Sequence, residues 1–131
     1  MLRPLLACGA VALVAATAAA AAAGTLQGTF QTVIANAPAK QLDGTWRLTL
    51  QPSGRYTTKR NGVVVVRGRD TQTATTIRFV DESGPMVCSP AQATGTYHWS
   101  LSGSSLRLTP IRESCAGRRL MLTTHLLRKV G

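Results

Sequence analysis

From Gly44 onward the chain alternates. Trp46, Leu48 and Leu50 are separated by Arg47 and Thr49, the period of two that places one set of side chains on each face of a strand. Pro52-Ser53-Gly54 then supplies turn chemistry: proline pre-sets its dihedral and glycine accepts positive φ. Arg55 to Lys59, with Tyr56 and Thr58, reads as a second strand. Asn61-Gly62 is the strongest hairpin signal, because both residues tolerate the positive φ of a type I′ turn. Val63 to Arg67 is a third strand. Thr73 to Val80 is a fourth, with Ile77 and Phe79 on one face and Arg78 on the other.

Asp81 to Thr94 reads as a long connection holding Gly84-Pro85, Cys88 and Pro90. Thr96 to Leu101 predicts a fifth strand with Tyr97, Trp99 and Leu101 inward and His98 outward. Ser102-Gly103-Ser104 turns into Ser105 to Thr109, and Pro110 to Gly117 is a loop carrying Cys115. Arg118 to Leu127 is read as the last strand, with Leu120, Leu122 and Leu126 on one face. Its Leu, Met and Arg content also suits a helix. Short strands at regular spacing with tight turns indicate an all-β fold. The expectation is a small antiparallel up-and-down β-barrel of about seven strands, or eight if Thr25–Ile34 or part of Asp81–Thr94 pairs.

The N-terminal region is patterned differently. Arg3 is followed by an uncharged, alanine-rich run to Ala23, the layout of a secretory signal with small residues at its cleavage end. Residues 1–23 are assigned as a signal peptide, residues 24–41 as an N-terminal extension or linker, and residues 42–131 as the β-barrel domain. An uncleaved anchor is the rival, since roughly 20 apolar residues can span a bilayer; alanine is weakly hydrophobic, so no stable membrane insertion is expected after cleavage. In residues 24–41, Leu26, Phe30, Val33 and Ile34 can dock a short strand before Ala37-Pro38-Ala39 breaks it.

Export changes the cysteine arithmetic. Cys8 leaves with the signal, and Cys88 and Cys115 remain; a pair in an exported domain predicts one disulfide. With no C-x-x-C and 2 histidines, no metal site is expected. The 131 residues carry 15 Lys+Arg against 5 Asp+Glu, a formal net charge of +10. The cations are scattered and few aromatics lie among them. Together with export, this argues against nucleic acid; the cations read first as a solvated basic face, and such a face also suits an anionic envelope component or acidic polymer.

Leu42-Asp43-Gly44-Thr45-Trp46 places Gly-x-Trp at the opening of the first strong strand. Gly28-Thr29-Phe30 and Gly95-Thr96-Tyr97 echo it. The motif resembles the calycin signature of lipocalins, fatty-acid-binding proteins and avidins. Asp81 to Pro85, Gly95 to Leu101 and Cys115 to Arg118 resemble small secreted bacterial lipocalin-like proteins of unassigned function. The resemblance spans Leu42 to Arg128. It implies a late basic residue (Arg118, Arg119 or Arg128) covering Trp46. It also implies a small hydrophobic or amphipathic ligand in the barrel mouth, lined by Trp46, Tyr56, Phe79, Tyr97 and Trp99. The polar set for biotin is missing.

No catalytic constellation is legible, and no cofactor is expected. Asp81-Glu82 reads as a pair of exposed turn formers, and His98 and His125 lack a nucleophile or orienting acid. Glu82, Met86, Arg112 and Glu113 sit in the elaborate loops as a mixed recognition surface. The chain is therefore expected to be a secreted, non-catalytic lipocalin-like binding module. The alternative is a basic envelope or extracellular interaction protein, an inhibitor or polyanion binder, with a filled core. An apolar cavity on the order of several hundred Å³ would separate the two.

Overall fold

In the computed structural model, which describes residues 25–131, the alternation at Trp46, Leu48 and Leu50 becomes β2 (Gly44–Leu50), with those three side chains buried and Arg47 exposed. Seven further strands follow the same logic. They are β1 (Gly28–Ile34), β3 (Arg55–Arg60), β4 (Val63–Gln72), β5 (Thr76–Ser83), β6 (Thr94–Ser102), β7 (Ser105–Arg112) and β8 (Leu127–Lys129); one helix, α1 (Ala116–Thr123), lies between β7 and β8. Each strand pairs antiparallel with its sequence neighbours, and β8 returns to β1. The fold is an all-β, eight-stranded, up-and-down closed barrel. Closure leaves no free sheet edge along the paired stretches.

The Asn61-Gly62 turn forms as its chemistry requires, with φ of 49° and 82°. Inside, Tyr56, Phe79 and Tyr97 stack edge to face, with centroids 5.1 and 5.8 Å apart. Phe30, Leu48, Leu50, Ile77 and Leu106 fill the space around them.

Four boundaries differ from the sequence reading. The barrel begins before Leu42: within the stretch 24–41 taken as an extension or linker, Gly28–Ile34 pairs along its whole length with β2 and also meets β8. This is the eighth strand allowed for if Thr25–Ile34 pairs, and Phe30, Thr32 and Ile34 point inward once β2 fixes the register. Next, β5 runs on to Ser83, so Asp81 lies inside a strand and faces the core. Arg118–Leu127 is not one strand, and only Leu127 belongs to one, at the start of β8. Arg118, Met121 and Leu122 are buried at helical spacing in α1, which plugs the barrel end, while Leu126 is exposed. Finally, β6 outruns the barrel, so Leu101 is exposed and Trp99 is half-buried. The signal peptide assigned to residues 1–23 lies outside the described residues.

Candidate functional site

The longer connections gather at one end of the barrel. There the 84–93 loop, the 113–115 loop and α1 close over the interior. Beneath them lies a cavity of about 60 Å³, bordered by Leu42, Trp46, Tyr56, Phe79, Met86 and Met121. That is room for a few water molecules, well below the roughly 300–1,000 Å³ of small-molecule sites.

Asp81 and Arg118 form the polar side of this cavity, and they belong to a closed ring of contacts. Cys88 and Cys115 form a disulfide with Cα atoms 6.0 Å apart. The Cys88 N–H donates to Asp81 Oδ2 at 3.0 Å, and the Cys115 N–H donates to Glu113 Oε1 at 2.9 Å. Arg118 joins the two carboxylates, 3.2 Å from Asp81 and 2.6 Å from Glu113. From the barrel interior the Tyr56 hydroxyl donates to Asp81 and the Tyr97 hydroxyl to Glu113. The side chains of Asp81, Glu113 and Arg118 are 3%, 0% and 6% exposed, so each charge depends on these partners.

Arg118 is heavily committed. Its Nε and one terminal nitrogen hold Glu113, and the terminal nitrogens also reach Ala93 O at 2.7 Å, Gln92 O at 2.9 Å and Asp81. Those contacts engage four of the five guanidinium N–H groups in hydrogen bonds and add the ion pair to Asp81. Gly95 allows the approach: a Cβ there would collide with Glu113 and lie 2.7 Å from Arg118.

The protonation states agree with a structural role. Burial pulls the Glu113 carboxyl upward, but hydrogen bonds from Arg118, Tyr97 and the Cys115 N–H outweigh it and hold the carboxyl below its usual range. Burial, then the adjoining carboxylates, push both phenols far above theirs, so Tyr56 and Tyr97 stay neutral donors. Arg118 is kept charged, burial notwithstanding, by Glu113 and Asp81. The cluster is a clasp that fixes two loops and α1 on the barrel.

Of the five residues expected to line a ligand site, Trp46, Tyr56 and Phe79 meet at the cavity. Tyr97 is fully buried beside Glu113. Trp99 stands near the 73–75 turn, with Nε1 donating to Thr73 O at 3.2 Å, and is separate from the cavity. Trp46 is buried, as expected, and its Nε1 donates to Leu42 O at 2.8 Å. No cation–π stack on Trp46 occurs among the described residues: Arg118 borders the same cavity as Trp46 but commits its guanidinium to the carboxylates, and Arg119 and Arg128 are exposed. Sequence reasoning missed Asp81, Glu113 and Arg118. The available signal was scarcity, since a chain with 5 acids has few to place at random.

Protein-family models, curated proteins and solved structures give no match to this chain. The architecture is the one that the calycin resemblance implies, and it is shared with other antiparallel barrels. Among the described residues no helix is long and apolar enough to cross a membrane, and no cluster of three metal-ligating side chains occurs.

The outer wall is different in character. Glu82 contacts Arg55 and Arg69. The other acids are engaged away from the exposed cations: Asp43 accepts from the Ala37 N–H, Asp70 from Gln72, and Asp81 and Glu113 sit in the clasp. On β2 and β3, Arg47 and Lys59 border an open trough of about 460 Å³ with Thr45, Thr49 and Asn61.

Proposed function

We propose that the protein is an exported, non-catalytic interaction protein that binds an anionic partner through its outer surface. The observation that carries this reading is the disposition of charge. The few carboxylates are buried or already paired, which leaves most exposed cations without one. Such a surface attracts polyanions and anionic envelope material. The filled interior supports the same reading, because 60 Å³ offers little to an enclosed ligand. Export follows from the signal-like N-terminus, and a disulfide is the usual mark of an oxidising compartment. Kinship with the secreted lipocalin-like calycins belongs to this proposal too.

The hydrophobic-ligand reading keeps one supporting observation. Trp46, Tyr56 and Phe79 meet Met86 and Met121 at the cavity, and methionine repacks readily. A ligand there would have to displace α1. Two measurements separate the readings. The proposal expects retention on dextran sulfate but not on neutral dextran, with release by added salt as screening rises. Native mass spectrometry of protein from its own culture medium should show the bare chain. A stoichiometric small molecule in that spectrum, with no retention on dextran sulfate, overturns the proposal in favour of the interior site.

A further inference from the structure

Two like-charged pairs face each other across strands of the outer wall. Arg55 on β3 stands opposite Arg69 on β4, and Arg47 on β2 stands opposite Lys59 on β3. Directly opposed side chains have Cβ atoms about 4.5–5.5 Å apart, and like charges there are destabilising. The first pair has an internal remedy. Glu82 on β5 reaches both guanidinium groups, at 3.9 Å from Arg55 and 3.4 Å from Arg69. The second pair has no carboxylate within salt-bridge distance among the described residues.

Arg47 is held in place. Its Nε donates to Gln31 Oε1 at 2.9 Å, which leaves both terminal nitrogens for an outside acceptor. Gln31 also lies opposite Arg128 on β8, so Arg128, Gln31, Arg47 and Lys59 form one row across four neighbouring strands. With strands about 4.8 Å apart, the row is roughly 14 Å long. Beside it the trough presents the hydroxyls of Thr45 and Thr49 and the amide of Asn61. The Asn61 side-chain oxygen accepts from the Thr45 N–H at 2.9 Å, and its amide nitrogen remains a donor.

The geometry points to the Arg47–Lys59 pair as the anion subsite for an acidic polysaccharide, a polymer whose sugars carry carboxylate or sulfate. The external anion takes the position that Glu82 occupies between Arg55 and Arg69. The flanking Thr, Gln and Asn groups hydrogen-bond the sugar hydroxyls. This inference rests on the proposed surface-binding function and names its partner. The outward positions of β1 to β3 carry no aromatic ring to stack on a base. Val33 is their single large exposed apolar residue, so no apolar wedge exists there for a lipid surface.

The test uses isotope-labelled protein at low salt, titrated in separate arms with a galacturonate oligomer, a heparin oligomer and phosphatidylglycerol vesicles. Either oligomer should shift the amides of β1 to β3. Arg47→Ala/Lys59→Ala should weaken oligomer binding about tenfold or more, the effect of losing charge-assisted hydrogen bonds. Arg78→Ala/Arg112→Ala removes the same charge from β5 and β7 and should weaken it less than about threefold, by screened long-range attraction alone. The free Arg47→Ala/Lys59→Ala protein should melt no lower than wild type, because a repulsive contact is gone. Equal losses in the two double variants overturn the subsite and leave the anionic-partner reading standing. Binding to vesicles but to neither oligomer overturns the polysaccharide class. No binding in any arm overturns the subsite and the proposed function together.

Discussion

Replacing Arg118 by methionine tests whether the clasp is held by charge. Methionine keeps an aliphatic stem to fill space, so the main loss is the guanidinium. Two carboxylates, 3% and 0% exposed, are then left without their cation. Removing one partner of a buried pair costs about 3–5 kcal/mol. Arg118 serves two carboxylates and also satisfies the Ala93 and Gln92 carbonyls, so the upper part of that range is expected. Stability of a domain this size is about 5–15 kcal/mol, so the variant folds marginally. Urea unfolding at pH 7 with the disulfide intact measures the loss. With a slope of about 1–3 kcal/mol per molar, a 4 kcal/mol loss moves the midpoint by roughly 1.3–4 M. The pH dependence supplies a second, independent readout. In the wild type the Glu113 carboxyl is held low, so its contribution is present above the unfolded carboxylate range and is lost as pH falls through its folded value. Without Arg118, burial gains weight at Glu113 and the folded state tolerates its protonated form better, so the variant regains stability as pH falls. The gap between the two proteins should therefore narrow from pH 7 toward about pH 4. A loss below about 1 kcal/mol at pH 7, or a gap that widens on acidification, refutes the reasoning. Should the variant not fold, Glu113→Gln keeps an acceptor and should cost less, about 1.5–3 kcal/mol.

The Cys88–Cys115 bridge closes a separation of 27 residues, and Cys88→Ser/Cys115→Ser should lose about 3.5 kcal/mol by the chain-entropy relation, read from unfolding midpoints. Peptide mapping after alkylation of the unreduced, unfolded protein should find both cysteines blocked; alkylated Cys88 and Cys115 would exclude the bridge. Trp46→Ala should cost about 3–5 kcal/mol, since the ring is buried, and a melting curve like that of wild type would contradict the packing described. Asp70 is buried with Oδ1 unpartnered, and burial raises its carboxyl above the usual range, so folding favours its protonated form. Asp70→Asn should therefore stabilise at pH 7 by about 1 kcal/mol and lose that advantage as pH falls and Asp70 takes up a proton; equal midpoints at pH 7 would argue against a strained carboxylate.

What the sequence determined by itself was local. Alternation needs only neighbouring residues, so β2 and the inward sets Tyr56/Thr58 and Ile77/Phe79 were legible, and the positive φ at Asn61 and Gly62 follows from their side chains. The cysteine pair was legible from the signal-like N-terminus and the cysteine count. The tertiary structure decided whatever depends on partners far along the chain. Gly28–Ile34 is a strand because β2 and β8 supply its hydrogen bonds. The Arg118–Leu127 pattern fits either period, and the need to plug the barrel end selected a helix over Ala116–Thr123. Asp81 looked like a solvated turn former beside Glu82, yet it is buried, because Tyr56, Cys88 and Arg118 converge on it from separations of 25, 7 and 37 residues. A carboxylate enters a core only where such donors meet it, and no window of the sequence contains them all. The trough at Arg47 and Lys59 has the same origin, since β2–β3 pairing sets the two cations side by side. Their lack of a carboxylate reflects where the fold commits its few acids.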